Sequence, residues 1–165
     1  MSRSLSVTLF IILICIALIA TLVIFYAASL RPNPQLRKTE IMIGTNTFNV
    51  EVASTTLELA RGLSGREGLA PGTGMLFLFN GIINRPGIQH FWMKDMRFPL
   101  DIIWISGDKV VGFSENVPPP ASGTSSGDLV IYNSPDNTDK VLEVNAGTVE
   151  KGGIKVGDPA VVKNL

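Results

Sequence analysis

Phe91-Trp92-Met93-Lys94-Asp95 and, shortly after, Pro99-Leu100-Asp101-Ile102 form the stretch on which the reading of this chain turns. Apolar and polar residues alternate at strand spacing. His90, Trp92 and Lys94 are therefore expected on one face of a strand, with Phe91, Met93 and Asp95 on the other. Phe91 and Met93 read as core. The run after Asp101, Ile102-Ile103-Trp104-Ile105, is continuously apolar, as in a strand buried on both faces. Outward from there the chain reads as short strands at 38–43, 47–52, 75–80, 88–94, 100–105, 109–114, 128–133, 140–145 and 160–162. Gly44-Thr45-Asn46 and Ser106-Gly107-Asp108 signal hairpins between neighbouring strands. Thr55-Thr56-Leu57-Glu58 fits a capping box that starts a short helix; Arg61 lies in its last turn and Gly62 at its end. A second helical stub is expected over 148–153, and the Pro/Gly/Ser-rich stretch 118–127 reads as loop. The pattern predicts a mostly β fold: a single compact sandwich or barrel-like domain with one or two short helices.

The amino-terminal part has a different character. No charge occurs from 4 to 30. As a helix that run would reach ~40 Å, more than the ~30 Å hydrocarbon core of a bilayer requires. A cleaved signal carries only ~7–15 apolar residues, so residues 1–30 are expected to be an uncleaved transmembrane anchor held in the membrane by 5–26. Ala27-Ala28-Ser29 keeps a cleaved signal segment in view. Cys15 follows bulky Ile14 and reads as apolar filling rather than a lipidation site. Residues 31–37, with Pro32 and Pro34, read as a stiff linker, and 38–165 as one β domain. At this size a real core is available. Flanking Arg31, Arg37 and Lys38 would favour a cytoplasmic domain by charge count. An amino-terminal apolar segment is nevertheless the usual export signal, so a single-pass membrane protein with an extracytoplasmic domain is expected.

Charge and composition exclude several function classes. From Arg31 onward the chain holds 13 of its 14 basic residues and all 14 acidic ones, a balance of −1. Nucleic acid needs a basic footprint, so it is not an expected partner. One histidine and no cysteine outside the apolar run argue against a zinc site, and nothing in the sequence calls for a cofactor. Gly72-Thr73-Gly74 leads into a strand and reads as a turn, not a phosphate cradle. Asp136-Asn137-Thr138-Asp139 lacks the calcium-loop spacing. Ser64 misses the spacing of a nucleophile elbow, and a triad would require the lone His90.

Five residues remain as candidates: Arg61, Trp92, Lys94, Asp101 and Glu143. Trp92 with Lys94 suggests a shallow recognition face that stacks a ring and pairs a charge, or else a half-buried Trp covered by the Lys stem. Asp101 stands at the mouth of a buried strand and is expected to pair with Lys94 or Arg61. Glu143 and Asn145 alternate with Leu142 and Val144, which places Glu143 on a polar face. The sharper expectation is a pocket where Arg61, Lys94, Asp101 and Glu143 meet. The functional reading is a binding or accessory module for a small anionic or carbohydrate-like ligand, or for an envelope partner. The alternative is a hydrolase acting on a carbohydrate-like substrate with Asp101 and Glu143 as paired carboxylates.

The order of these pieces closely resembles a bacterial and archaeal family, domain of unknown function 192. The matching elements are Val52-Ala53 then Arg61-Gly62-Leu63, Gly74-Met75-Leu76-Phe77, Phe91-Trp92-Met93-Lys94, Pro99-Leu100-Asp101-Ile102, Val141-Leu142-Glu143-Val144, Ala146-Gly147 and Gly153-Ile154-Lys155-Val156-Gly157-Asp158. The resemblance implies a compact, mostly β domain, often behind an export signal or anchor, and brings no agreed substrate. Two positions depart from the family's pattern: Asp95 stands where Asn is usual and Ser64 where Met is usual.

Overall fold

A computed structural model of the chain describes residues 2–29, 36–79 and 87–163. The linker expected over 31–37 lies outside the described residues except for Leu36 and Arg37, as does Asn80 at the end of the strand expected over 75–80. The chain forms two compact units, 1–31 and 32–165. The first is a single helix, α1 (Ser2–Ser29), free of proline and glycine. Its stretch Leu9–Ala27 is long and apolar enough to cross a bilayer.

The second unit is a curled sheet. β1 (Lys38–Ile43) and β2 (Asn46–Ala53) form the expected hairpin, with Gly44 at φ +57° where a two-residue turn needs a positive φ. α2 (Thr56–Arg61) then crosses to β3 (Thr73–Leu78), which runs parallel to β2. β5 (Leu100–Ser106) and β6 (Lys109–Val117) form the second hairpin. β8 (Lys140–Asn145) lies between β5 and β3. After the short helix α3 (Thr148–Gly152), β9 (Ala160–Lys163) pairs with β1. The strand order is β6-β5-β8-β3-β2-β1-β9. The two edges meet: the Val110 amide donates to Asp158 O at 3.0 Å, Gly157 N to Val110 O at 2.8 Å and Ala160 N to Asp108 O at 2.8 Å. The sheet thus curls into a barrel-like shell, as the strand pattern implies.

All seven strands contribute to an inner core that includes Ile41, Phe48, Leu76, Ile103, Val110, Leu142 and Ala160. The opposite face of β3, β5 and β8 is also buried. Met75, Phe77, Ile102, Trp104 and Val141 pack there under Leu63, Met93 and Met96. This is why β3 and β5 read as apolar runs over 75–78 and 102–105. Burying a side chain such as Trp104, 2 % exposed, contributes roughly 2–3 kcal/mol.

Two expected strands come out shorter. The strands at 88–94 and 128–133 reduce to β4 (His90–Phe91) and β7 (Tyr132–Asn133), which pair with each other outside the barrel. Alternation persists beyond β4: Met93 is buried, while Trp92 and Lys94 are exposed. The ladder stops because the chain turns at Lys94-Asp95, where Asp95 takes φ +57°. Asn and Asp are the non-glycine residues that best tolerate this conformation.

Gly74 marks the tightest approach inside the sheet. A Cβ there would lie 2.5 Å from Glu143 O and 3.0 Å from a Val144 methyl. Gly74→Ala should therefore destabilise the domain by about 2 kcal/mol, the usual scale of core overpacking. Denaturant melts check this, and a change within about 0.5 kcal/mol, the range of a neutral surface substitution, would contradict the close packing of β3 on β8.

Candidate functional site

The covering layer over β3 and β8 begins at α2. Thr55 and Glu58 form the capping box: Glu58 N donates to Thr55 Oγ1 at 3.3 Å and Thr55 N to Glu58 Oε2 at 2.9 Å. The Ser54 and Thr55 amides hold the Glu58 carboxyl below its ordinary pKa. Gly62 ends the helix at φ +47°, and a Cβ there would touch the Phe77 ring at 3.2 Å. The next residues are tied to the turn after β4. Ser64 Oγ donates to Lys94 O at 2.8 Å and Gly65 N donates to Asp95 O at 3.0 Å. The two positions that depart from the family pattern, Ser64 and Asp95, therefore sit on one seam. There Ser64 acts through its hydroxyl and Asp95 through its backbone carbonyl, the Asp95 side chain being exposed.

Between this layer and the sheet opens a cleft of about 280 Å³. Arg61 and Ser64 line it from the α2 side, His90 from β4 and Trp92 just after it, and Phe77 from β3 and Phe79 just after it. Phe91 fixes the aromatic wall, edge-on to Phe77, Phe79 and Trp104 at centroid distances of 5.0, 6.3 and 5.5 Å. His90 Nδ1 lies 2.6 Å from Asn133 Oδ1. Trp92 is half exposed, with one side available at the rim.

Glu143 of β8 also lines the cleft. It is 5 % exposed and lies in register between Met75 of β3 and Ile102 of β5. The expectation of a polar face at Glu143 is thus corrected. The outer face of β8 is roofed by segments distant in sequence. Burial raises the Glu143 carboxyl from 4.5 to about 8, and among the described residues it has no hydrogen-bonded or charged partner. A desolvated carboxyl facing a cleft is a candidate functional group.

Asp101 has a different role. It is fully buried. Oδ1 accepts from Asn116 N and Oδ2 from Val149 N, each at 2.8 Å. Asn116 belongs to a bulge in β6, where the register against β5 shifts between Leu100 and Ile102. Its φ is +51°, and the bulge leaves an amide without a ladder partner. Val149 is in the first turn of α3, whose cap residue Gly147 has no side chain to offer. Asp101 satisfies both orphan amides from one position. The expected ion pair with Lys94 or Arg61 is not formed. Lys94 is exposed and outside the cleft, and Arg61 is on the outer face.

Asp101 and Glu143 are not brought together. Asp101 is opposite Val144, an inner-core residue, while Glu143 is opposite Ile102, an outer-core residue. The two carboxylates point to opposite faces of the sheet, so they cannot flank one scissile bond. The cleft unites Arg61, Trp92 and Glu143 and leaves out Lys94 and Asp101. Phe77, Phe79 and Ser64 are the lining residues that the sequence reasoning missed. The i, i+2 spacing of Phe77 and Phe79 within the strand expected over 75–80 was the available signal.

The profile of an uncharacterised family, DUF192 (uncharacterized ACR), matches residues 39–162. The chain belongs to the DUF192 family. A crystal structure of a protein of unknown function from Novosphingobium aromaticivorans is similar at 30 % identity and TM-score 0.67, over 79 % of this chain and 91 % of that one. A second, from Sinorhizobium meliloti and described as a proposed transcription regulator, is similar at 28 % identity and TM-score 0.69, over 81 % of this chain and 99 % of that one. No curated protein matches the sequence. In DUF192 terms, the Phe91-Trp92-Met93-Lys94 element supplies the cleft's aromatic rim and the turn that anchors the α2 loop. The Pro99-Leu100-Asp101-Ile102 element ties a bulge and a helix to the barrel.

Proposed function

We propose that this DUF192 domain is a binding module that holds a small organic ligand in the cleft among Arg61, Trp92 and Glu143. The supporting observation is Glu143, a buried carboxyl with no partner among the described residues, opening onto an aromatic-walled cleft. An unpaired buried carboxyl costs stability unless something else benefits from it, and a ligand is the direct beneficiary. A cleft with apolar walls and a few convergent polar groups is the usual form of a small-molecule site. The half-exposed ring of Trp92 offers a stacking surface at its entrance. The uncharged stretch Leu9–Ala27 of α1 suits an anchor, and in this reading the domain is tethered to a membrane on the extracytoplasmic side. The regulator description of the Sinorhizobium protein does not carry over, because the charge balance here is near zero and the cleft is mostly apolar.

The test is a screen of the purified full chain in lipid nanodiscs against sugars, organic acids and amines, read by thermal shift. At least one compound is expected to raise the melting temperature of the wild type and to lose most of that effect in Trp92→Ala. The Trp92→Ala melting temperature without ligand should stay close to wild type, since the ring is half exposed. Absence of any Trp92-dependent shift across all three classes would sink the reading.

A further inference from the structure

Resting on that reading, we propose that the cleft is built for a small organic anion, a carboxylate on an apolar body, held by a hydrogen bond from the Glu143 carboxyl and by the positive charge of Arg61 on the same cleft. Three observations converge. First, Glu143 is set in register with Met75 and Ile102, in an apolar environment that disfavours its charge. With its carboxyl raised to about 8 by burial, it carries a proton at neutral pH and presents an O–H donor to the cleft. Second, among the described residues the other charged or titratable groups lining the cleft are Arg61 from α2 and His90 from β4, and the flanking strand positions Met75 and Ile102 do not titrate. His90 is engaged with Asn133 through Nδ1. With Glu143 neutral, Arg61 brings positive charge to the cleft. Third, a carboxylic acid facing a carboxylate makes a short, charge-assisted hydrogen bond. The aromatic wall of Phe77, Phe79 and Phe91 suits the apolar body.

An ammonium ligand would need the opposite arrangement. Glu143 would have to ionise in an apolar setting, and the cation would sit in a cleft that already holds Arg61. The two ligand classes therefore carry opposite pH signatures. Ionisation of Glu143 removes the donor that the anion needs and creates the charge that the cation needs.

The test is calorimetric titration of the full chain in lipid nanodiscs with benzoate and with benzylamine, which share size and ring, from pH 6 to pH 9.5. Benzoate affinity is expected to be level up to about pH 8 and then to fall, approaching tenfold per pH unit, because one proton must be taken up to bind. Glu143→Gln should keep benzoate binding, since the amide still donates, and should lose the fall. Benzylamine binding that tightens above pH 8 and disappears in Glu143→Gln would overturn the anion proposal and leave ligand binding at the cleft standing. So would a sugar that binds in a Trp92-dependent way while benzoate does not. Benzoate binding with the same pH profile in Glu143→Gln as in wild type would also overturn it. Failure of every probe class would overturn both this inference and the function it rests on.

Discussion

Asp101→Asn is expected to lower the stability of the β domain by about 3 kcal/mol, although the side chain keeps its size and touches no cation. The carboxylate accepts one amide on each oxygen, Asn116 N at 2.8 Å and Val149 N at 2.8 Å. An asparagine can offer an oxygen to one of them only. Its NH2 group then faces the other N–H, donor against donor, in a site with no access to water. A hydrogen bond to a charged acceptor is worth about 1.5–3 kcal/mol, and an orphaned buried donor adds its own desolvation cost. The sequence-based expectation also made Asp101 structural, but assigned the cost to an unpaired Lys94 or Arg61. The two accounts separate in a double mutant. With no contact between Asp101 and Arg61, Asp101→Asn and Arg61→Ala should be additive to within about 0.5 kcal/mol. Glu115→Gln, an exposed change in the same bulge, is the control and should move stability little. Denaturant melts of the four variants decide it. A loss below about 1 kcal/mol for Asp101→Asn would mean that the bulge and α3 do not depend on it.

The second large effect is the pH dependence contributed by Glu143. In the unfolded chain this carboxyl ionises near its ordinary value of 4.5, whereas burial in the folded domain holds the proton until about pH 8. Between those values the native state binds the extra proton, so unfolding releases it. Stability must then fall as pH rises, by up to about 1.4 kcal/mol per unit, and level off above the folded value. Over the whole window the change is several kcal/mol, a large part of what a domain of this size has to spend. Glu143→Gln should erase the Glu143 slope. The variant should be close to wild type at pH 4.5 and clearly more stable than wild type at pH 8. Chemical melts at pH 4.5, 6.5 and 8 make the comparison. Parallel profiles for variant and wild type would show that the carboxyl ionises as freely in the folded domain as in the unfolded chain.

The opposite fates of these two acids show what could be read from sequence. The hairpins at Gly44 and Gly107, the capping box at Thr55 and the central apolar strands were legible because each depends on neighbours within a few residues. The family resemblance brought the order of elements. Alternation also placed Phe91 and Met93 inward and Trp92 and Lys94 outward. It could not say what lies on top of an outward face. Glu143 alternates like a solvent-facing residue, yet it is roofed by the segment after α2 and the turn after β4, both far away in the chain. Asp101 resembled one half of an ion pair because a bulge and a helix start, the true claimants on its oxygens, leave no mark at position 101 itself. The misplaced strand over 88–94 has a local cause: an Asp with positive φ looks like any other polar residue in an alternating pattern.

The pairing of β9 with β1 has a consequence for how the domain comes into being. Lys163 and Glu40 are 123 positions apart, yet they are cross-strand partners joined by an ion pair. No arrangement of the earlier strands can complete the shell until residues 160–163 exist and have travelled back to the first hairpin. Closing so long a loop delays the reward for the chain entropy already lost, and proteins dominated by such non-local contacts fold slowly. During synthesis, therefore, β1 waits with one edge bare, and the chain passes through a prolonged immature state whose exposed strand edge is a target for self-association or for a chaperone.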